Sequence, residues 1–295
     1  MKIYFDNVDF RSSSGPNSFG SKLARTFASM GHDITHIKPD VQLSFISTSL
    51  KIAPTILRLD GIYFNSDQDW GSLNAPIIAS YKNADAVIVQ SDFNKKLVSE
   101  YFGERECVYV VRNGTCTDLV NKIPAANIAN LPREKVWLCA SSWRPHKRLG
   151  ENIRYFNENA PDDAILLVAG DNASISNDSS RVKYIGNLNW DQLISVMKAA
   201  SHFLHLAWLD HCPNVVVDAR AAGCHIVCSS SGGTKEIAGK DATIIVEEEW
   251  DLKPIKLYEP PIMDLNNSKA NPANQSDINI DSVANNYLRI IESIT

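Results

Sequence analysis

Two acids and a cluster of cations are the residues of this chain best spaced to do chemistry together. Asp210 and Asp218 bracket the stretch Asp210-His-Cys-Pro-Asn-Val-Val-Val-Asp218. Just before it, Phe203-Leu-His-Leu-Ala-Trp208 is a short apolar run that reads as a buried parallel strand. Pro213 suits the first position of a helix, and Gly223 fits the position just past its end. The strand-to-helix loop therefore presents Asp210, then the free backbone N–H groups of a helix start at Asn214 and Val215, then Asp218 further in. At a rise of roughly 1.5 Å per residue the two acids lie about 10 Å apart. That spacing can grip both ends of an elongated anion whose charge rests at the helix N-terminus.

A second cluster supplies cations. Ser142-Trp-Arg-Pro-His-Lys-Arg148 follows an apolar run, residues 135–141, and precedes a helical pattern carrying Leu149, Ile153 and Phe156. Arg144, Lys147 and Arg148 thus sit between a strand end and a helix start, where an anion site forms readily. The strand-like run 225–229 leads into Gly232-Gly233-Thr234, and the run 182–186 ends at Gly186. Doubly wound α/β sheets bind ligands beyond the C-terminal ends of their strands. Lys147, Gly186, Asp210 and Gly232–Gly233 all fall at such ends.

The stretch from Asp210 to Gly223 resembles the acidic-x7-acidic signature of retaining glycosyltransferases of the GT-B fold, family GT4. The usual form reads like E-G-F-P-N-V-V-L-E-A-M-A-C-G; both acids are Asp in this chain, and His-Cys replaces Gly-Phe. The match continues through residues 224–237, is specific over residues 135–246, and is looser over the N-terminal half. The resemblance implies roles, residue by residue. Lys147 aligns with the family lysine that grips the donor diphosphate; Ser142 stands at the usual arginine, and Arg144 takes its part. Asp218 is expected to accept hydrogen bonds from the ribose hydroxyls, and Asp210 to contact the donor sugar. Ile185, Gly186 and Leu188 match the turn that holds the nucleobase. Backbone N–H groups of Gly232, Gly233 and Thr234, or of Asn214 and Val215, are expected to face the donor. The loop at Gly15 is expected across the cleft, near the donor phosphates or the acceptor. Many family members carry a His in the N-terminal domain, but this chain has none between His36 and His146. Arg58 and Asp60 are the substitutes to test, with a structural Arg–Asp pair as the equal alternative.

The implied activity is sugar transfer from a nucleotide-diphosphate donor to a glycan, lipid or other hydroxyl acceptor, with retention of configuration. No side chain stands out as a nucleophile, and no metal or cofactor is expected if the cations neutralise the leaving group. Two rivals remain: a sugar-nucleotide epimerase of the same fold, and a lapsed transferase that only binds a glycan or nucleotide sugar.

The elements that must position these residues are those of an α/β chain with two Rossmann-like doubly wound domains facing across a cleft. The 295 residues suffice for two domains. Residues 1–120 form the expected acceptor-side domain. Residues 121–132 read as a linker, and 133–280 as the nucleotide-sugar domain. A final helix over 281–295 is expected either to cross back to the first domain or to pack on the second sheet. A helix is expected over 18–30 after a loop at 7–17, another over 234–238, and irregular chain over 252–280.

Net charge −5 argues against broad nucleic-acid binding. No apolar run reaches bilayer-spanning length, so membrane contact is expected to be peripheral. Residues 1–5 read as a first strand, not a signal peptide. The six cysteines show no metal-ligand spacing and read as reduced thiols, mostly in the core, in a cytoplasmic protein. Two further motifs dissolve on inspection. Gly15 to Lys22 has one residue too many before its lysine for a P-loop. Asp67-Gln-Asp69 is an Asp-x-Asp, but it lies in a polar stretch and not at a strand end.

Overall fold

The computed structural model describes residues 1–12, 14–173, 179–271 and 277–295. Parts of the expected loop 7–17 and irregular stretch 252–280 (Ser13 and residues 272–276) lie outside the described residues. The fold consists of two sheets with helices packed on them. The first sheet contains β1 (Lys2–Asp6), β2 (Asp33–Ile34), β3 (Val41–Phe45), β4 (Thr55–Leu59), β5 (Ala86–Val89) and β6 (Val108–Val110), in the order β2-β1-β3-β4-β5-β6. Every pairing in it is parallel. β3, β4 and β5 are buried along their whole length, as strands covered on both faces must be. The second sheet contains β7 (Val136–Ala140), β8 (Ile165–Ala169), β9 (Val182–Gly186), β10 (His202–His205), β11 (His225–Ser229), β12 (Thr243–Ile245) and β13 (Ser268–Ala270). Its order is β13-β12-β11-β10-β7-β8-β9, parallel except for the antiparallel edge strand β13. Each is a doubly wound, Rossmann-like layer.

The helices sort by their apolar stripes. α1 (Gly15–Ser29) buries Phe19, Leu23 and Phe27 on the first sheet. α8 (Ile280–Glu292) buries Val283, Tyr287, Ile290 and Ile291 in that same core. The C-terminal helix thus lies on the N-terminal sheet. α4 (Thr117–Lys122) goes the other way: its Val120 belongs to the core of the second sheet. Past it, Ala126 N–H donates to the Ser195 carbonyl of α6 (Trp190–Ala199). The exchange of bodies therefore falls just before α4, several residues ahead of the expected linker. The remaining helices, α2 (Trp70–Asn83), α3 (Asp92–Phe102), α5 (Leu149–Asn159) and α7 (Asn214–Ala221), complete the two layers.

Several local expectations shift. α1 begins at Gly15, three residues early, because Pro16 presets a helical φ in its first turn. Pro213 is the N-cap of α7 and not its first residue. The strand expected through Trp208 stops at His205, and the helix expected at 234–238 is a single 3-10 turn, Thr234–Glu236. Within the stretch expected to be irregular, β13 forms, and Ile255 bridges to Asn65 of the other domain. Its N–H donates to the Phe64 carbonyl at 3.0 Å, and Trp250 packs 4.7 Å from the Phe64 ring. A strap from the second domain therefore ties the two halves at one side of the cleft. Of the cysteines, four are buried and all six are unpaired; Cys107 is exposed, against the expectation of a core thiol.

Candidate active site

The C-terminal ends of β4, β5, β6, β7, β8 and β10 open onto one cavity of about 680 Å³ between the two domains. Its second-domain wall carries Ser142, Arg144, His146, Lys147, His205 and Asp210. Its first-domain wall carries Gly15, Asp60, Gln90 and Asn113.

Lys147 and Asp210 meet directly. Lys147 Nζ donates to Asp210 Oδ2 at 2.5 Å, and His205 Nε2 lies 2.9 Å from the same oxygen. A carboxylate only accepts, so His205 carries its proton on Nε2. The His211 N–H donates to Asp210 Oδ1 at 3.0 Å. Burial alone would raise the Asp210 pKa; the Lys147 charge and the His205 bond outweigh it and hold the carboxyl well below its ordinary range. Burial pushes the three cavity histidines down: His146 to about 3 and His211 to about 4, with His205 lowered despite its acid partner. All three are neutral at pH 7, so the fixed positive charge on this wall is that of Lys147 and Arg144. Arg144 is exposed at the rim and has no ion-pair partner among the described residues.

The turn holding Lys147 is anchored by the third cation of its cluster. Arg148 turns inward at φ 52° and donates to Glu247 at 2.7 Å and to the Pro261 carbonyl at 2.9 Å. Asn152 of α5 closes the turn, donating to the Arg148 carbonyl and accepting from the Leu206 N–H. The basic cluster thus divides: Arg144 and Lys147 face the cavity, and Arg148 is a buried structural ion pair.

On the opposite wall, Arg58 is fully buried. It donates to Tyr287 Oη at 3.0 Å, to Asn113 Oδ1 at 2.8 Å, and to Asp60 Oδ1. Its guanidinium lies over the Phe19 ring, 4.1 Å from the centroid. Gln90 donates to the same Asp60 oxygen, while Asp60 Oδ2 has no partner. Burial raises the Asp60 pKa, against the pull of Arg58 and Gln90. Arg58 therefore does not reach the cavity; it fixes Asp60, which does.

The expected donor contacts separate in the same way. Leu188, Asn214 and Val215 line the cavity, but Ile185 and Gly186 do not. Gly186 is exposed at the end of the edge strand β9, its carbonyl accepting the Gly170 N–H at 2.8 Å. Gly232, Gly233 and Thr234 lie beneath the Asp210 loop. The Gly233 N–H donates to the Asp210 carbonyl at 2.7 Å, so it is unavailable to a ligand. Gly232 has φ +71°, and a Cβ there would fall 2.4 Å from the Asp210 carbonyl oxygen. This pair of glycines sets the height of the loop and lines instead a second inter-domain cavity through Gly232. Thr234 is wholly buried. Asp218, 6 % exposed, does not line the main cavity; both its oxygens are taken, by Lys22 of α1 and by Trp190.

The sequence reading missed His146, His205, His211, Gln90 and Asn113. Each follows or ends a strand, which is the one signal that was available. His211 crosses to the other domain: its ring packs between Phe64 and Phe93, against Gly61, where a Cβ would fall 2.7 Å from Nε2. No histidine lies between His36 and His146, and at this point of the cleft the imidazole comes from the second domain. Asp69, the second acid of the Asp-x-Asp, caps α2 by accepting from the Ser72 N–H at 3.1 Å.

Two parallel α/β layers, with ligand-facing strand ends turned toward a shared cleft, define the GT-B class of glycosyltransferase. Residues 125–254 match the family model of glycosyl transferases group 1. Solved structures agree over the whole chain. Sucrose-phosphate synthase from Thermosynechococcus elongatus is 13% identical with TM-score 0.71, covering 99% of this chain and 98% of that one. Anabaena HepE, in complex with UDP and glucose, is 13% identical with TM-score 0.70, covering 99% and 100%. WaaG, a glycosyltransferase involved in lipopolysaccharide biosynthesis, is 14% identical with TM-score 0.58, covering 99% of both chains. No curated protein matches the chain.

Proposed function

We propose that this glycosyltransferase moves a sugar from a nucleoside-diphosphate donor to a hydroxyl of a glycan or lipid-linked acceptor, with retention and without a metal. The observation that carries the reading is the Lys147–Asp210–His205 cluster, facing a cavity closed on its other side by Asp60. In the reaction the bond from the anomeric carbon to the diphosphate breaks, and its electron pair leaves with the phosphate. Lys147, with two N–H donors left beyond its bond to Asp210, and Arg144 stabilise that charge; preorganised charge of this kind is often the largest catalytic contribution. The acceptor oxygen bonds to the anomeric carbon and its proton passes to the leaving diphosphate. Asp210, kept ionised by Lys147, accepts hydrogen bonds from donor-sugar hydroxyls. Leu188 and Val215 offer apolar surface to the base, and the α7 N-terminus faces the phosphates. HepE, crystallised with UDP-glucose, supports a nucleotide sugar as donor. Six unpaired cysteines fit a reducing compartment, the cytoplasm. Among the described residues no helix is long and apolar enough to cross a membrane, so a lipid-linked acceptor would be met at the surface.

Ser142 at the family's arginine position and the lack of a histidine between His36 and His146 favour one other reading, a protein that binds nucleotide sugar without turning it over. Incubating the protein with a panel of nucleotide sugars in excess chelator, with and without candidate hydroxyl acceptors, separates these outcomes. Release of nucleoside diphosphate, with an α-linked product from an α-linked donor, supports the transferase. Activity only after added manganese contradicts metal independence, and binding without release supports the lapsed protein.

A further inference from the structure

Asp218 is the acid that the resemblance assigns to the donor ribose, and a cation from the other domain occupies it. Lys22 Nζ donates to Asp218 Oδ1 at 3.0 Å, and Trp190 Nε1 donates to Oδ2 at 3.1 Å. Lys22 also reaches Thr115 Oγ1 at 3.4 Å and sits 5.5 Å from the centroid of the Trp190 ring. Trp190 is itself held by the start of α6, where Asn189 and Gln192 form a reciprocal capping box. A carboxylate has lone pairs for more than two donors. Access is what is missing: the two side chains are 14 % and 6 % exposed.

Asn214 lies one helical turn nearer the cavity on the same face of α7. It lines the cavity, donates from Nδ2 to the Gly15 carbonyl at 2.9 Å, and leaves Oδ1 without a partner. The open nucleoside end of the cavity therefore stops at Asn214, and the next polar group along that face is shut behind Lys22. Gly15 and Lys22 both belong to α1, so one displacement of α1 releases Asn214 and Asp218 together. A phosphate-binding role does not suit Lys22. It lines a separate, smaller cavity of about 310 Å³ with Phe10, Arg25 and Trp190, and not the cavity of Lys147.

We infer that Lys22 competes with the donor's ribose for Asp218, and that this cross-domain ion pair lowers donor affinity by stabilising the form in which Asp218 is covered. The inference rests on the nucleotide-sugar reading above. Ribose hydroxyls reach Asp218 only when the ammonium leaves, so the ion pair lost is subtracted from the binding free energy. A competition of this kind has a sign that ordinary contacts lack: removing the cation strengthens the binding of an anion.

The test is calorimetric titration of UDP, GDP and ADP into the wild type, Lys22→Met, Asp218→Asn and the double variant. Lys22→Met is expected to bind its preferred diphosphate at least about threefold more tightly, because the competent form is then more populated. The gain should vanish in the Asp218→Asn background, since coupled residues are not additive. If Lys22→Met is poorly folded, Lys22→Gln keeps a hydrogen bond to Asp218 without the charge and should show a smaller gain. Unchanged or weaker binding on loss of the lysine charge overturns the inference, as does a gain that persists without Asp218. In either case wild-type binding leaves the nucleotide reading standing. Binding that appears only in the lysine variant supports the competition in its strongest form. Binding by none of the four proteins overturns the competition and the nucleotide reading together.

Discussion

On the second-domain wall of the cavity, Lys147 and Asp210 keep 18 % and 14 % of their side chains exposed, and each has bonding capacity left for a ligand. On the first-domain wall Arg58 has no exposure, and its donors are spent on Asp60, Tyr287 and Asn113. Both walls contain a cation beside an aspartate. In one pair both side chains line the cavity; in the other only Asp60 lines it, and its Oδ2 is buried without a partner. The two aspartates are about equally exposed, 14 % at Asp210 and 15 % at Asp60, so the pairs differ in their cations: Lys147 lines the cavity and Arg58 does not. A buried pair is costly to break and gains little from being there, whereas a partly open one can trade its partner for a phosphate.

The sharpest way to break this comparison is to remove each cation and measure folding. Arg58→Leu leaves Asp60 in the core without its ion pair, and removing one partner of a buried pair costs roughly 3–5 kcal/mol. Urea unfolding should show a loss of that order. Loss below about 1 kcal/mol, the range of exposed pairs, would mean that the first-domain wall is as adaptable as the second.

A smaller effect is expected at Asp210. Asp210→Asn removes charge assistance from the sugar hydroxyls, which should weaken the intact sugar nucleotide about fivefold or more. The free nucleoside diphosphate should bind no worse, because Lys147 is released from its acid. Equal losses for both ligands in calorimetry would place Asp210 on the nucleotide half of the cavity.

The smallest effect concerns pH. His146 and His211 stay neutral in the folded cavity until about 3 and about 4, while an unfolded histidine takes a proton near 6.5. Below that value the unfolded chain binds more protons, so stability falls as pH drops from about 6.5 toward 4. Asp60, raised by burial, works in the opposite sense, so the histidine contribution is best read as a difference. His211→Gln should give a shallower fall in the urea midpoint between pH 7 and 5 than the wild type. Parallel curves would show that the imidazole is not held neutral by its packing against Phe64 and Phe93.

Much of this site was legible before any coordinates. The alternation of apolar runs and helical stripes located the strand ends, and Lys147, Arg144, Asp210, Leu188, Asn214 and Val215 lie at the cavity because they follow those ends. Arg58 and Asp60 were legible as a pair, since residues two apart on a strand share a face. Which of them was buried depended on Tyr287, more than 200 residues later. The apolar stripe of α8 reads the same whether it packs on the first sheet or the second. Lys22 and Asp218, likewise, are joined only by the closure of two domains, and neither local spacing nor composition records that. The glycines at 232 and 233 were read by analogy as ligand-facing; the close approach of the Asp210 loop, invisible in sequence, commits them to packing.

The role proposed for Lys147 is to neutralise a leaving diphosphate in this cavity. Steady-state release of nucleoside diphosphate should therefore be compared between the wild type and Lys147→Ala, with the donor the protein prefers and chelator in excess. The variant should remain folded, with kcat/KM reduced at least about tenfold, or roughly 1.4 kcal/mol of transition-state stabilisation. A folded Lys147→Ala protein that releases diphosphate as fast as the wild type would contradict the claim.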